Sequence, residues 1–299
     1  MALFQKKDSP VCGGSTTTID SNAPKAIVSR EIVRLSCESS FHTVAAPRGK
    51  YPYVAVFAAK VNDGVLAGLV TENEFFKQEP QKIGVVSNAV LEKLLAVVDE
   101  YAFVKSNGRV HSTAGLPENF GGHISVEYES GEEIYTADNQ SPVMSALAGE
   151  ALADCILEAL GSERVPGLPT AADVTGIHWE ERREDGGYHI IDWNGTALHT
   201  EQKYAFDGAS DSVYTHDVTT APEDFGPIRA MIDRSGLLYW GGLPESDFKL
   251  YKMNRRTLTF RLSDGSERTV ADAMRGPEFT RNGIFETEMA VNDILRKYE

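Results

Sequence analysis

Apolar residues recur along the chain with two spacings, one typical of helices and one typical of strands. The clearest helical spacing covers 142–160, where an apolar residue occurs every three or four positions. Ser141 and Pro142 suit the start of this helix, and Gly161 suits its end. The same spacing predicts three further helices, over 88–104, 222–235 and 283–298.

Strands are indicated by alternating apolar and polar runs on either side of tight-turn sequences. These turn sequences are Asn62-Asp63-Gly64, Ser130-Gly131, Asp185-Gly186, Asn194-Gly195 and Asp264-Gly265. A sheet with one apolar face must be covered by other elements. We therefore expect antiparallel sheets with helices packed on one face.

The two halves of the chain resemble each other at a constant offset of 134 residues. Segment 91–108 aligns with 225–242, and segment 124–138 aligns with 258–272. Seven of the 33 aligned positions are identical, against about two expected from ordinary residue frequencies. Because both blocks share one offset across an intervening loop, the sequence predicts an internal duplication.

These patterns together predict an α+β protein made of two tandem copies of one module. In each module an antiparallel β-sheet is covered by two helices. Prolines and glycines interrupt the periodic pattern just past the middle of the chain, which is typical of a linker. The predicted parts are a flexible N-terminal arm (1–24), a first module (25–160), a linker (161–173) and a second module (174–299).

Composition narrows the classes of partner. The chain has 299 residues and a net charge of −15, so it repels phosphate backbones, and we expect neither nucleic acid nor anionic membrane as a partner. Three cysteines are too few for a disulfide framework and indicate a reducing compartment. No apolar run is long enough for a signal sequence or a membrane span. We expect a soluble, cytoplasmic protein.

A short N-terminal segment, Ser-Pro-Val-Cys-Gly-Gly over 9–14, resembles half of a zinc-ribbon knuckle. Ser9 stands where the first thiolate of such a knuckle would be, which leaves Cys12 as the one candidate ligand. A structural zinc ion normally needs four ligands, and Cys37 and Cys155 are isolated in the sequence. The sequence therefore predicts no metal site.

Motifs for nucleophilic catalysis or for nucleotide binding are absent from the sequence, and we expect no cofactor. The densest polar stretch is 177–193, which predicts a hairpin. With Asp185-Gly186 as a two-residue turn, His178 is expected to face Trp193 rather than a carboxylate. If the protein is an enzyme, it is a hydrolase with acid–base residues drawn from His178, Glu180, His189 and Asp192.

A basic segment distinguishes the second half from the first. Residues 249–261 carry five positive charges and no acid, and we expect a hairpin there that turns near Asn254-Arg255. One interpretation is that this ribbon docks an acidic protein surface or a small anionic ligand. The other is an edge strand that its charges protect against pairing with another chain. The candidate binding residues are Lys249, Lys252, Arg255, Arg256 and Arg261.

No constellation of reactive groups emerges from the sequence. The first hypothesis for function is therefore a non-catalytic binding or protein-interaction protein, whose two unequal copies bind one asymmetric partner. The hydrolase described above is the alternative.

Overall fold

The fold is a mixed α+β arrangement of two largely antiparallel sheets and four α-helices within the described residues. The computed structural model describes residues 14–41, 49–71, 82–114, 121–183, 185–204, 212–240, 255–271 and 278–298. Among these residues, no helix is both long and apolar enough to cross a membrane. The predicted fold class is confirmed at this level.

The described residues divide into two compact units. The first unit draws its described residues from Met1–Ala59, Leu69–Asn73 and Ala89–Glu158. The second draws its own from Lys60–Gly68, Glu74–Asn88 and Ala159–Glu299. The second unit therefore includes two segments from the N-terminal half, which a simple division at the predicted linker does not anticipate.

The first sheet has eight strands in the order β1-β6-β8-β7-β2-β3-β4-β5. The pairings β1–β6, β2–β3, β2–β7 and β7–β8 are antiparallel, and β6 runs parallel to β8. Its strands are β1 (Ser15–Ile19), β2 (Ile32–Ser40), β3 (Tyr53–Val61), β4 (Gly64–Val70), β5 (Lys82–Val86), β6 (Arg109–Thr113), β7 (Gly122–Tyr128) and β8 (Glu133–Asp138).

Two helices belong to the N-terminal half, α1 (Ala89–Glu100) and α2 (Ala146–Ser162). The start of α2 differs from the prediction because Ser145, rather than Ser141, accepts a hydrogen bond from a backbone N–H of the first turn, that of Ala148 at 3.2 Å. Pro142 consequently precedes the helix, and Gly161 lies inside its last turn.

The second sheet has six antiparallel strands in the order β12-β11-β10-β9-β13-β14. Its helices are α3 (Gly226–Ser235) and α4 (Glu278–Tyr298), and the three tryptophans of the chain are buried within this unit. Its strands are β9 (Val174–Arg182), β10 (Tyr188–Trp193), β11 (Ala197–Tyr204), β12 (Ser212–Thr219), β13 (Arg255–Leu262) and β14 (Glu267–Ala271).

Six consecutive strands of the first sheet follow the same path as the six strands of the second. Read from one side, they are β5-β4-β3-β2-β7-β8 in the first and β12-β11-β10-β9-β13-β14 in the second. In each case a four-strand meander leads to a helix and a short 3-10 helix, Phe103–Ser106 or Leu237–Tyr239. A two-strand hairpin then leads to the last helix. Strands β1 and β6 of the first sheet have no counterpart among the described strands of the second sheet.

Two predicted connecting segments contain regular structure. Residues 15–19 of the predicted N-terminal arm form β1, which pairs with β6. Within the predicted linker, Arg164 forms an antiparallel bridge with Val86 of β5, and Ala171–Asp173 form a 3-10 turn. Residues 1–13 lie outside the described residues.

Candidate functional site

The hairpin of β9 and β10 carries most of the candidate acid–base residues, and its register differs from the prediction by one residue. The backbone N–H of Arg183 donates to the oxygen of Gly187 at 2.9 Å, so the loop between them has three residues instead of two. The extra loop residue places Asp192, rather than Trp193, opposite His178. This shift by one residue gives every residue of β10 a different partner on β9, and alternate residues of a strand point to opposite faces of the sheet.

His178 and Asp192 therefore meet on one face of the second sheet, here called the polar face. Nδ1 of His178 lies 3.0 Å from Oδ2 of Asp192. The guanidinium of Arg261 donates to both oxygens of the same carboxylate, at 2.9 and 2.7 Å. This bidentate geometry is the strongest form of an arginine–carboxylate pair. The three side chains form one hydrogen-bonded cluster on adjacent strands.

The cluster is part of a polar row that crosses all six strands. Nδ1 of His199 lies 2.8 Å from Oδ1 of Asp217, and the hydroxyls of Thr259 and Thr269 lie 2.9 Å apart. In strand order the row reads Asp217, His199, Asp192, His178, Thr259 and Thr269. Sequence reasoning missed His199 and Asp217, because both lie on strands outside the 177–193 hairpin.

The electrostatics of the cluster favour the ionised form of Asp192. The hydrogen bonds from Arg261, and secondarily from His178, hold the pKa of Asp192 below its ordinary value despite partial burial. Both carboxylate oxygens are already engaged, so Asp192 can orient the imidazole but is a poor proton acceptor itself. The side chains of His178 and Asp192 are 37% and 36% exposed, so this position is not enclosed.

The other two candidate acid–base residues do not join the cluster. Glu180 lies on the polar face in the next row, where Oε1 is 2.6 Å from the guanidinium of Arg182. His189 lies on the opposite, helix-covered face, with Nδ1 3.4 Å from Oε1 of Glu288 in α4. The structure thus brings together two of the four predicted residues, and places one of the four on the other side of the sheet.

The helix-covered face also holds a buried ion pair. The side chain of Glu181 is 3% exposed, and its Oε1 accepts a hydrogen bond from Nε of Arg256 at 2.9 Å. Nε of Arg183 lies 3.4 Å from the other oxygen of the same carboxylate. The Arg256 guanidinium also lies over the ring of Phe285 in α4, 4.6 Å from its centroid. These contacts join β9, β13 and α4.

The predicted basic ribbon is only partly within the described residues. Lys249 and Lys252 lie outside them, and Arg255 is described only by its place at the start of β13. For the described part of the ribbon, 255–261, the interpretation as an edge strand is wrong, because β13 lies between β9 and β14. Arg256 and Arg261 pair with carboxylates of their own unit, as described above. Cys12, the candidate zinc ligand, also lies outside the described residues.

Metal ligation finds no support in the part of the chain that the structure describes. No group of three or more histidine, cysteine, aspartate or glutamate side chains there is arranged to hold a metal ion.

A cleft of about 320 Å³ lies within the second unit, between the edge of β5, the segment after α2 and the end of α3. This volume falls in the range of small-ligand sites, roughly 300–1,000 Å³. The cleft has an apolar wall and a polar rim. Its wall includes Ile83, Leu168 and Leu238, and its rim includes Arg164, Asp233 and Tyr239.

The rim combines one cation, one anion and one phenol. The Arg164 guanidinium donates to the oxygens of Leu160 and Ile83, at 2.9 and 3.3 Å. Burial, and next the nearby charge of Asp233, raise the pKa of Tyr239 above its ordinary value. Tyr239 is therefore a neutral hydrogen-bond donor at physiological pH. Sequence patterns indicated only a linker at Arg164 and Leu168, which belong to 161–173.

Comparison with known proteins adds no assignment to either location. No protein-family model matches the chain, and no curated protein sequence matches it.

Proposed function

We propose that this protein is a non-catalytic binding protein that arose by internal duplication, and that the cleft of the second unit holds an extended peptide segment. The two parts of this proposal rest on different observations. The duplication rests on the shared strand path, and the binding function rests on the cleft.

The duplication is supported by details that match at the same 134-residue offset. The turn glycines Gly131 and Gly265 have φ angles of 82° and 85°. Each donates to the oxygen three residues earlier, Tyr128 at 2.9 Å and Leu262 at 3.0 Å. The strand order around both hairpins is also the same. A shared ancestor of the two halves explains this combination more simply than independent origins.

The observation that carries the binding function is the apolar cleft beside the edge of β5. Strand β5 ends the first sheet, and the segment after α2 pairs with its edge: the N–H of Val165 donates to the oxygen of Val85, and the N–H of Ser87 donates to the oxygen of Glu163, both at 3.0 Å. The oxygen of Ile83 accepts a hydrogen bond from the Arg164 side chain. Because these edge groups are engaged, a peptide in the cleft is held by the apolar wall and the polar rim rather than by adding a strand to β5.

The chemistry of the cleft defines the ligand. The wall of Ile83, Leu168 and Leu238 accommodates an apolar side chain. Arg164 favours an acidic side chain or a terminal carboxylate next to it. The ligand is therefore a short extended peptide that combines one apolar and one acidic group.

This proposal can be tested with a display library of random decapeptides selected against the full chain. We expect the selection to yield peptides that bind the wild type. These peptides should bind Leu168→Glu about tenfold more weakly or worse, because the new charge lies in the apolar wall. The matched control is Leu147→Glu, since Leu147 is 61% exposed on α2 and outside the cleft. Arg164→Gln should weaken only those peptides that carry an acid.

Equal binding of the selected peptides to Leu168→Glu and Leu147→Glu would place the ligand elsewhere. Failure to enrich any peptide would count against the binding function itself. Thermal unfolding of each variant serves to show that the protein under test is folded.

A hydrolase that uses the polar face is the second candidate function, favoured by the 3.0 Å contact of His178 with Asp192. A histidine oriented by a carboxylate is a common general base. The exposure of both groups and the capture of Asp192 by Arg261 argue against it. Turnover of p-nitrophenyl acetate that His178→Gln abolishes, and that His199→Gln leaves unchanged, would favour the hydrolase.

A reducing location fits the cysteines. Cys37 and Cys155 are both free thiols in the described part of the chain. We propose a cytoplasmic location on this basis.

A further inference from the structure

Strand β12 offers a sheet edge that is independent of the cleft. It ends the six-stranded order of the second sheet, and among the described residues no strand pairs with its outer side. Seven of its eight residues are exposed, including Val213 (49%) and Tyr214 (54%). An exposed edge of this length is a template for pairing with another strand.

The backbone groups on this edge can be assigned from one hydrogen bond. The N–H of Thr220 donates to the oxygen of Thr196 in the direction of β11, at 2.7 Å. Because the direction of backbone groups alternates along an antiparallel strand, those of odd-numbered residues in β12 point away from β11. The outward set is Val213, Thr215, Asp217 and Thr219.

Features that usually protect an edge are missing here. The strand Ser-Val-Tyr-Thr-His-Asp-Val-Thr contains no lysine, arginine or proline. Its one acid, Asp217, is already 2.8 Å from His199. On a chain of net charge −15, this edge is therefore a place where two copies repel each other little.

The first sheet indicates what such an edge accommodates. Strand β5 holds the place in its sheet that β12 holds in the other, at the end of the shared order. Outside β5 lies an extended antiparallel segment, bridged at Val86 and Arg164. The equivalent place outside β12 is open in the described residues, so an extended antiparallel strand fits it.

We propose that β12 pairs with β12 of a second copy, in antiparallel orientation across a two-fold axis at His216. This inference goes beyond the proposed function, since it uses neither the cleft nor its ligand. In this register Val213 faces Thr219 of the other copy, Tyr214 faces Val218, and Thr215 faces Asp217. The outward residues form four pairs of two hydrogen bonds, or about eight bonds in all.

The side chains of the strand suit this register. Tyrosine with valine and valine with threonine are favourable cross-strand pairs, and the Thr215 hydroxyl can donate to the carboxylate of Asp217. A single strand pair is small beside a standard interface of about 1,200–2,000 Å². We therefore expect a dimer with a dissociation constant on the order of 10–100 µM.

Sedimentation of the full chain from about 1 to 200 µM tests the dimer, since this range spans the expected dissociation constant. Thr215→Pro removes an outward N–H while leaving the bonds to β11, and should weaken association at least about tenfold. Thr215→Ser is the matched control, because it keeps both the N–H and the hydroxyl, and it should dimerise like the wild type. A wild type that stays monomeric throughout, or a Thr215→Pro variant that dimerises equally, overturns the proposal.

A cross-linking variant tests the register and does not depend on proline. In the proposed register His216 lies opposite His216 of the second copy, in a pair without backbone hydrogen bonds. The Cα atoms of such a pair lie about 4.5 Å apart, which is close enough for a disulfide. His216→Cys, with the three native cysteines replaced by serine, should form a covalent dimer under mild oxidation. Thr219→Cys in the same background should not, since it faces Val213. Equal cross-linking of both variants, or of neither, rejects this register.

Discussion

The ion pair between Glu181 and Arg256 allows a quantitative test of the second unit. Arg256→Met removes the guanidinium and keeps an unbranched side chain over Phe285. The carboxylate of Glu181, 3% exposed, then loses the donor that binds it at 2.9 and 2.7 Å. Removing one partner of a buried pair costs about 3–5 kcal/mol. Because Arg183 remains 3.4 Å away, we expect the lower end, about 3 kcal/mol.

Urea unfolding followed by tryptophan fluorescence measures this cost. All three tryptophans lie in the second unit, so the signal reports the unit that contains the pair. With a slope of about 2 kcal/mol per molar urea, the midpoint should fall by about 1–2 M.

The neighbouring pair of Arg182 and Glu180 is the matched control. It lies one residue earlier on β9 but on the polar face, and the Arg182 side chain is 67% exposed. Arg182→Met should cost no more than about 1 kcal/mol, as expected for a surface pair. The double variant Glu181→Met with Arg256→Met should recover most of the lost stability, since no buried charge is left unpaired. If Arg256→Met and Arg182→Met lower the free energy of unfolding by the same amount, burial does not determine the strength of these ion pairs.

Three further outcomes follow from the described geometry. Arg261 is the main cause that holds the pKa of Asp192 below its ordinary value of 3.8, so the ionised carboxylate stabilises the folded state above that pH. This contribution is lost as the pH falls, so between about pH 4 and lower pH the free energy of unfolding should decrease less for Asp192→Asn than for the wild type. Burial raises the pKa of Cys37 to about 12, so this thiol is protonated at pH 8. In a variant whose other two cysteines are replaced by serine, a disulfide reagent at pH 8 should react with Cys37 only after urea unfolds the protein. Gly131→Ala and Gly265→Ala should each cost about 1 kcal/mol in thermal unfolding, because both glycines have positive φ and open space around them; a neutral result at either turn contradicts this.

The coarse fold was predictable because it depends on local patterns. The apolar spacing identified the four α-helices that lie in the described residues, and alternation around glycine turns identified the hairpins that contain Gly131 and Gly265. Helix ends were less accessible: α2 begins at Ala146 because Ser145 accepts a hydrogen bond there, and Ser141 is an equally good cap by sequence alone.

The candidate site was harder to predict, because it depends on register and on distant partners. One additional loop residue between Arg183 and Gly187 decides whether His178 meets Asp192 or Trp193. The third member of the cluster, Arg261, is 69 residues away from Asp192 in sequence. No local pattern carries either fact.

The same holds for the cleft. Its wall unites Ile83 of β5, Leu168 of the predicted linker and Leu238 of a 3-10 helix, which are far apart in the sequence. The prolines and glycines of 161–173 indicated a linker, and that signal does not distinguish a spacer from one side of a binding site.

The second unit is formed by chain segments that are far apart in the sequence, and this has a consequence for synthesis on the ribosome. Residues 60–68 and 82–88 leave the ribosome long before 159–299, with which they form one compact unit. Until then, strand β5 lacks the segment after α2 that pairs with its edge. The nascent chain must therefore keep an apolar strand from aggregating while residues 89–163, about a quarter of the protein, are being made. Interrupting translation before Arg164 should accordingly yield fragments that depend on chaperones.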